Sequence, residues 1–170
     1  MQEISSFVLP FVDLRSYLIH LIKRYFTSRI PMLSEEQQAQ VVDAIRLAEK
    51  QTSGEIKVHI ESFCAGDVLG RATEVFKQLN LEKTAQRNGV LIYLAHADRK
   101  FAIIGDEGIN AVVPVDFWNN TRDVLQRNFI MNQFVAGLSE GISLVGNALK
   151  AYFPYQSDDI NEISDEISFG

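Results

Sequence analysis

Five oxygen-bearing side chains invite attention first: Glu55, Asn88, Asp106, Glu107 and Asn110. Each sits at or just beyond the end of an apolar run, and several lie beside a glycine. Clustered carboxylate and amide oxygens suit a hard divalent cation such as Ca2+ or Mg2+, and glycines permit the tight turns that aim backbone carbonyls at it. Arg87 offers the other way to balance the same negative charge, through a surface ion network. The pattern is not an EF-hand, because the alternating Asp/Asn ligands and the terminal Glu at loop position twelve are absent. Other chemistries find little footing. There is no G-x-S-x-G elbow and no P-loop. One cysteine, Cys64, and three scattered histidines do not make a zinc site, and Cys64 reads as a small packing residue without an adjacent base.

Whether those oxygens can meet depends on the elements that carry them. Ser34-Glu35-Glu36-Gln37 is a capping box, and it predicts a helix from there to about Lys50 with Val41, Ile45 and Ala48 inward. Ile56 to Glu61 alternates with period two, as a half-buried strand does, which puts His59 on a solvated face. Asp67 caps a second helix whose inner face is Leu69, Ala72, Val75, Phe76 and Leu79. Val90 to Ala95 is continuously apolar, the pattern of a strand covered on both faces. After the turn His96-Ala97-Asp98-Arg99, Lys100 to Ile104 forms a third strand, antiparallel to the second. A helical turn follows over Ile109 to Val113. Asp116 caps a helix carrying Phe117, Val124 and Leu125, and a last helix carries Phe134, Leu138, Ile142, Val145 and Leu149 until Pro154 stops it.

This order predicts an α/β fold, a three-layer α/β/α sandwich with a mixed sheet. A helical crossover makes the first two strands parallel, and the hairpin returns the third. The start of strand one, the start of strand two and the finish of strand three then share one sheet edge. Glu55, Asn88, Asp106, Glu107 and, just beyond, Asn110 are expected to converge there, with Arg87 among them.

Three regions follow from the pattern: an N-terminal helical segment over residues 1–32, the α/β domain over 33–154, and an acidic tail over 155–170. In the first, Phe11, Leu14, Leu18, Leu21, Ile22 and Tyr25 fall at helical spacing. That helix packs on the domain or a second copy, or lies on a membrane surface. No apolar span is long enough to cross a bilayer, and no signal-peptide pattern is present, so a cytoplasmic protein, peripheral to the membrane at most, is expected. The formal net charge is −6. Asp158, Asp159, Glu162, Asp165 and Glu166 supply five of those charges in a tail without Lys or Arg, expected to be disordered or draped over the surface. A near-neutral body without a basic stripe argues against nucleic acid as a partner.

The run Gly54-Glu55-Ile56-Lys57-Val58-His59-Ile60, then Asn88-Gly89-Val90-Leu91-Ile92-Tyr93-Leu94, Asp98-Arg99, and Ile104-Gly105 followed by Gly108-Ile109 resembles the TPM domain family over about residues 33–154. The likeness is to stand-alone bacterial members of Bacteroidetes type. It implies the α/β/α fold and a divalent-metal site, usually calcium, at an acidic edge, with Glu55, Asp106, Glu107 and Asn110 as ligands. Here Asn110 stands where an acid is usual. The resemblance also implies a phosphatase activity of some members, which here would be a metal-assisted phosphatase acting on phosphomonoesters. The acidic edge and the lack of a recognisable nucleophile–base pair support the other reading, a non-catalytic interaction or accessory module with an unidentified protein partner.

Overall fold

The computed structural model describes residues 32–157 and 159–170. The N-terminal segment, and with it the expected helix around Leu14, Leu18 and Leu21, lies outside the described residues. α1 (Glu35–Glu49) starts at the Ser34 capping box, in which Ser34 Oγ accepts the Gln37 N–H and the Gln37 side chain accepts the Ser34 N–H. It is followed by β1 (Ile56–Glu61), α2 (Val68–Gln78), a 3-10 turn (Leu81–Lys83), β2 (Val90–Ala95) and β3 (Lys100–Gly105). Then come α3 (Glu107–Val112), α4 (Phe117–Ile130), α5 (Phe134–Tyr152) and a two-residue strand, β4 (Ser168–Phe169). Among the described residues no helix is long and apolar enough to cross a membrane.

The sheet order is β3-β2-β1-β4. β1 and β2 are parallel over their full length, Ile56 opposite Val90 and Glu61 opposite Ala95, and β2 and β3 are antiparallel. Side chains alternate across the sheet, so β2 serves two cores. Val90, Ile92 and Leu94 face Val41, Ile45, Leu125, Leu138, Ile142 and Leu149, whereas Leu91, Tyr93 and Ala95 face Ala72, Val75 and Phe76 of α2. Helices therefore cover both faces of a mixed sheet, as the sequence predicts.

Four local expectations change. β1 is buried at all six positions, not at alternate ones. Ile56, Val58 and Ile60 join the first core, while Lys57, His59 and Glu61 are covered by Arg71 of α2 and by the segment after α5. That segment is not disordered: it crosses the β1 edge and contributes β4, parallel to β1 with Ser168 opposite His59. Leu69 is 56% exposed, outside the inner face of α2. Asp116 stands at the start of α4 but makes no side-chain cap bond there.

Candidate functional site

The backbones converge as the topology demands. The Val90 N–H donates to Glu55 O at 2.8 Å, and the Asp106 N–H donates to Gly89 O at 2.9 Å, so Glu55, Gly89 and Asp106 lie side by side across three strands. Their side chains part company. Asp106 is buried and gives both oxygens to Arg87, at 2.7 Å from Nε and 2.9 Å from Nη2, while Oδ1 also accepts the Glu107 N–H at 2.8 Å as the cap of α3. Glu107 is largely exposed and lies 3.7 Å from Arg87 Nη1. Asn110 spends both ends of its amide: Nδ2 donates to Gly105 O at 2.7 Å, and Oδ1 accepts the Trp118 Nε1–H at 2.8 Å. Asn88 is buried, its Nδ2 donating to Ser53 O. Arg87 thus balances the charge of Asp106 and Glu107, and Asn110 serves as a structural brace.

Gly108 explains part of this arrangement. A Cβ there would stand 2.3 Å from Gln86 O and 2.7 Å from Arg87 O. Only glycine lets the first turn of α3 press against the loop that presents Arg87, where the Gly108 N–H donates to Arg87 O at 2.8 Å.

Glu55 keeps different company. It is 4% exposed, and its Oε1 accepts the N–H of Glu162 at 2.9 Å. Its Oε2 is buried and makes no hydrogen bond. Nearby, Glu49 Oε1 accepts the Ile56 N–H at 2.7 Å. Burial pushes the Glu49 carboxyl up to about 8, assisted by the charges of Glu55 and Asp165 against the pull of the Ile56 N–H. Burial likewise pushes Glu55 up to about 7; the Glu162 and Ile163 N–H groups oppose it, and the Glu162 and Asp159 charges add to it. Glu49, Glu55, Asp159, Asn161 and Asp165 line a cleft of about 380 Å³, with Arg46 at its rim. Arg46 Nε lies 3.4 Å from Asp165 Oδ2 and its Nη2 lies 2.8 Å from Glu166 Oε1.

The four expected ligands therefore do not form one cage. Asp106, Glu107 and Asn110 have structural partners, and among the described residues no three carboxylates, histidines or cysteines stand close enough to hold a metal as placed. What fits a cation is narrower: two of the expected oxygens, Glu55 Oε2 and Asn88 Oδ1, are buried without a hydrogen-bond partner, and of these Glu55 stands near the acids Glu49, Asp159 and Glu162. Sequence reasoning missed Glu49, to which it gave no role, and Asp159 and Asp165, which it left in the acidic tail. The available signal was the recurrence of Ile160, Ile163, Ile167 and Phe169 among the tail acids, too apolar a set for a freely solvated tail.

A second polar group lies farther along β1. Glu61 pairs bidentately with Arg71, at 3.0 Å from Nε and 2.9 Å from Nη2, and accepts the Tyr93 hydroxyl. Burial raises the Glu61 carboxyl, but Arg71 and Tyr93 together hold it below the ordinary range. His59 stacks on Tyr93, its Nδ1 lies 2.9 Å from Ser168 Oγ, and burial lowers its pKa.

Comparison with known proteins agrees with this architecture. The sequence model described as TPM domain matches residues 29–148. The NMR structure of BA42 protein from the psychrophilic bacterium Bizionia argentinensis superposes with a TM-score of 0.79 at 47% identity, covering 85% of this chain and 99% of that one. Two further solution structures share the fold at low identity. The N-terminal domain of Corynebacterium glutamicum cg2496 has a TM-score of 0.57 at 13% identity, covering 75% of this chain and 80% of that one. The N-terminal domain of a protein from P. gingivalis has a TM-score of 0.58 at 19% identity, covering 72% of this chain and 80% of that one. No curated protein matches. By the extent of the family match and the likeness to BA42, the chain belongs to the TPM domain family.

Proposed function

We propose that the domain is a non-catalytic interaction module whose acidic edge takes a divalent cation, Ca2+ in the first instance, at Glu55 and the cleft beside it. The observation that carries this reading is the Glu55 Oε2 atom, buried and without a hydrogen-bond partner. A buried carboxylate oxygen costs free energy unless something polar or positive answers it. Burial holds the protons of Glu49 and Glu55 far up the pH scale, and the negative charges of Glu162 and Asp159 near Glu55 add to it. A hard cation answers several such oxygens at once. Glu55 supplies the fixed oxygen, and Asp159, Asn161 and Asp165 are the neighbours able to join it. Asp106, Glu107 and Asn110 serve the loop around Arg87.

The metal-assisted phosphatase reading has less behind it. Its natural charge stabiliser, Arg87, has two donors held by Asp106.

Calorimetric titration of metal-stripped protein tests the proposal. Saturable heat with Ca2+ is expected, lost in Glu55→Gln and retained in Asp106→Asn. No heat at millimolar Ca2+ or Mg2+, or heat that depends on Asp106 and not on Glu55, would reject it.

A further inference from the structure

β1 is six residues long, yet β4 pairs with it only at His59 and Ile60. The rest of that edge is held by side chains gripping an extended segment. The Glu55 carboxylate takes the Glu162 N–H. Lys57 Nζ donates to Ser164 O and Glu166 O, both at 2.5 Å. Arg46 meets Asp165 and Glu166. Ile163 packs against the α2-side core, and Ile167 is buried in the other. The segment reads Glu162-Ile163-Ser164-Asp165-Glu166-Ile167-Ser168, with Glu-Ile-Ser occurring twice at a spacing of four. Beyond it, Gly170 lies so near the sheet that a Cβ would stand 2.7 Å from Glu61 Oε2 and 3.0 Å from His59 Nε2.

These are the contacts of a recognised peptide. Backbone groups are read by a lysine and a glutamate, acids by an arginine, two isoleucine anchors fill separate recesses, and a short parallel ladder fixes direction. The link back to α5 is exposed at Pro154, Tyr155, Gln156 and Ser157, and its backbone is held where Pro154 bridges to Thr52 and the Tyr155 N–H donates to Gln51 O at 3.3 Å. We propose that the β1 edge is a docking groove for an extended acidic peptide of a partner protein, with two isoleucine-type anchors four residues apart, and that residues 162–170 are its resident occupant. The charge complementarity between Arg46 and Lys57 and the acids of the segment states the partner's chemistry. The proposal rests on the reading of the domain as an interaction module but not on the cation, since Lys57, Arg46 and the two recesses need none.

A tethered occupant competes at an effective concentration in the millimolar range, so a free peptide binds the intact chain weakly. The test uses the full chain with a protease site inserted between Gln156 and Ser157, kept in EDTA so that its outcome is separate from the cation titration. After cleavage, a fluorescein-labelled peptide of residues 157–170 should exchange for the severed segment. Its apparent affinity should exceed that for the uncut chain at least about tenfold, and a peptide with Ile163→Ala and Ile167→Ala should fail to compete. Failure to exchange, or equal binding of a scrambled peptide, would overturn the proposal. If the cut chain precipitates, the uncut chain with 13C-methyl isoleucine decides. Excess unlabelled peptide should move the Ile163 and Ile167 signals towards their displaced positions, and unmoved signals would overturn the idea. A dimer that grows with protein concentration and dissolves on adding the peptide would put a second copy's segment in the groove and overturn the assignment to a partner protein.

Discussion

Glu55 Oε1 accepts the backbone N–H of Glu162 at 2.9 Å, joining the first residue before β1 to a segment 107 positions later. Oε2 is left buried and without a hydrogen-bond partner.

Protonation of the cleft beside Glu55 should govern stability near neutrality. The carboxyls of Glu49 and Glu55 sit at about 8 and about 7 when folded, against an ordinary value of 4.5. The folded chain therefore binds more protons than the unfolded chain between those limits, and stability falls with rising pH. The contribution is complete below pH 4.5 and is lost as pH climbs through 7 and 8. In metal-free buffer Tm should drop between pH 6 and 8.5, by the equivalent of roughly 1–3 kcal/mol. Glu49→Gln keeps an acceptor for the Ile56 N–H but removes one titration, and should flatten the slope. Scanning calorimetry checks this; a wild-type Tm that rises over the same interval contradicts it.

Cation and proton compete for the same oxygens. Ca2+ affinity should strengthen on the order of tenfold between pH 6 and pH 8. Calorimetry in two buffers of different ionisation heat should record proton release on binding at pH 6.5. A pH-independent affinity would place the cation on groups other than Glu49 and Glu55.

Asp106 should behave as a structural residue. Asp106→Ala removes the α3 cap as well as the partner of Arg87, and the lost cap alone costs about 1 kcal/mol. Asp106→Asn keeps an oxygen for the Glu107 N–H and should cost less. Urea denaturation distinguishes them; equal losses would mean the cap contributes nothing.

Gly108→Ala drives a Cβ into two backbone carbonyls that cannot rotate away, Gln86 O at 2.3 Å and Arg87 O at 2.7 Å. A loss of about 1–3 kcal/mol is expected, with broadening of the Arg87 side-chain NMR signal as the loop shifts. Unchanged stability would show that the loop yields freely.

Much of the frame was legible in the residues. The capping box at Ser34, the unbroken apolar run of β2 and the short turn before β3 each carry a local reason for their structure, and together they fix which strand ends are neighbours. The polar face of β1 was harder. Alternation says that Lys57, His59 and Glu61 face away from Ile56, Val58 and Ile60, but not what covers them, and a distant acidic segment carries no local sign that it will return. The site was legible to the level of backbone: Glu55 and Asp106 do flank Gly89. A side chain's choice of partner depends on rotamers and on tertiary neighbours such as Arg87 and Glu162, which spacing along the chain does not encode.

The most direct test is a two-dimensional amide NMR titration of metal-stripped protein with Ca2+ at pH 7.5. The account predicts saturable shifts at Glu49, Glu55, Asn161, Glu162 and Asp165, with Asp106, Glu107 and Asn110 unmoved. Shifts centred on Asp106, Glu107 and Asn110, or no shifts at millimolar Ca2+, would contradict it.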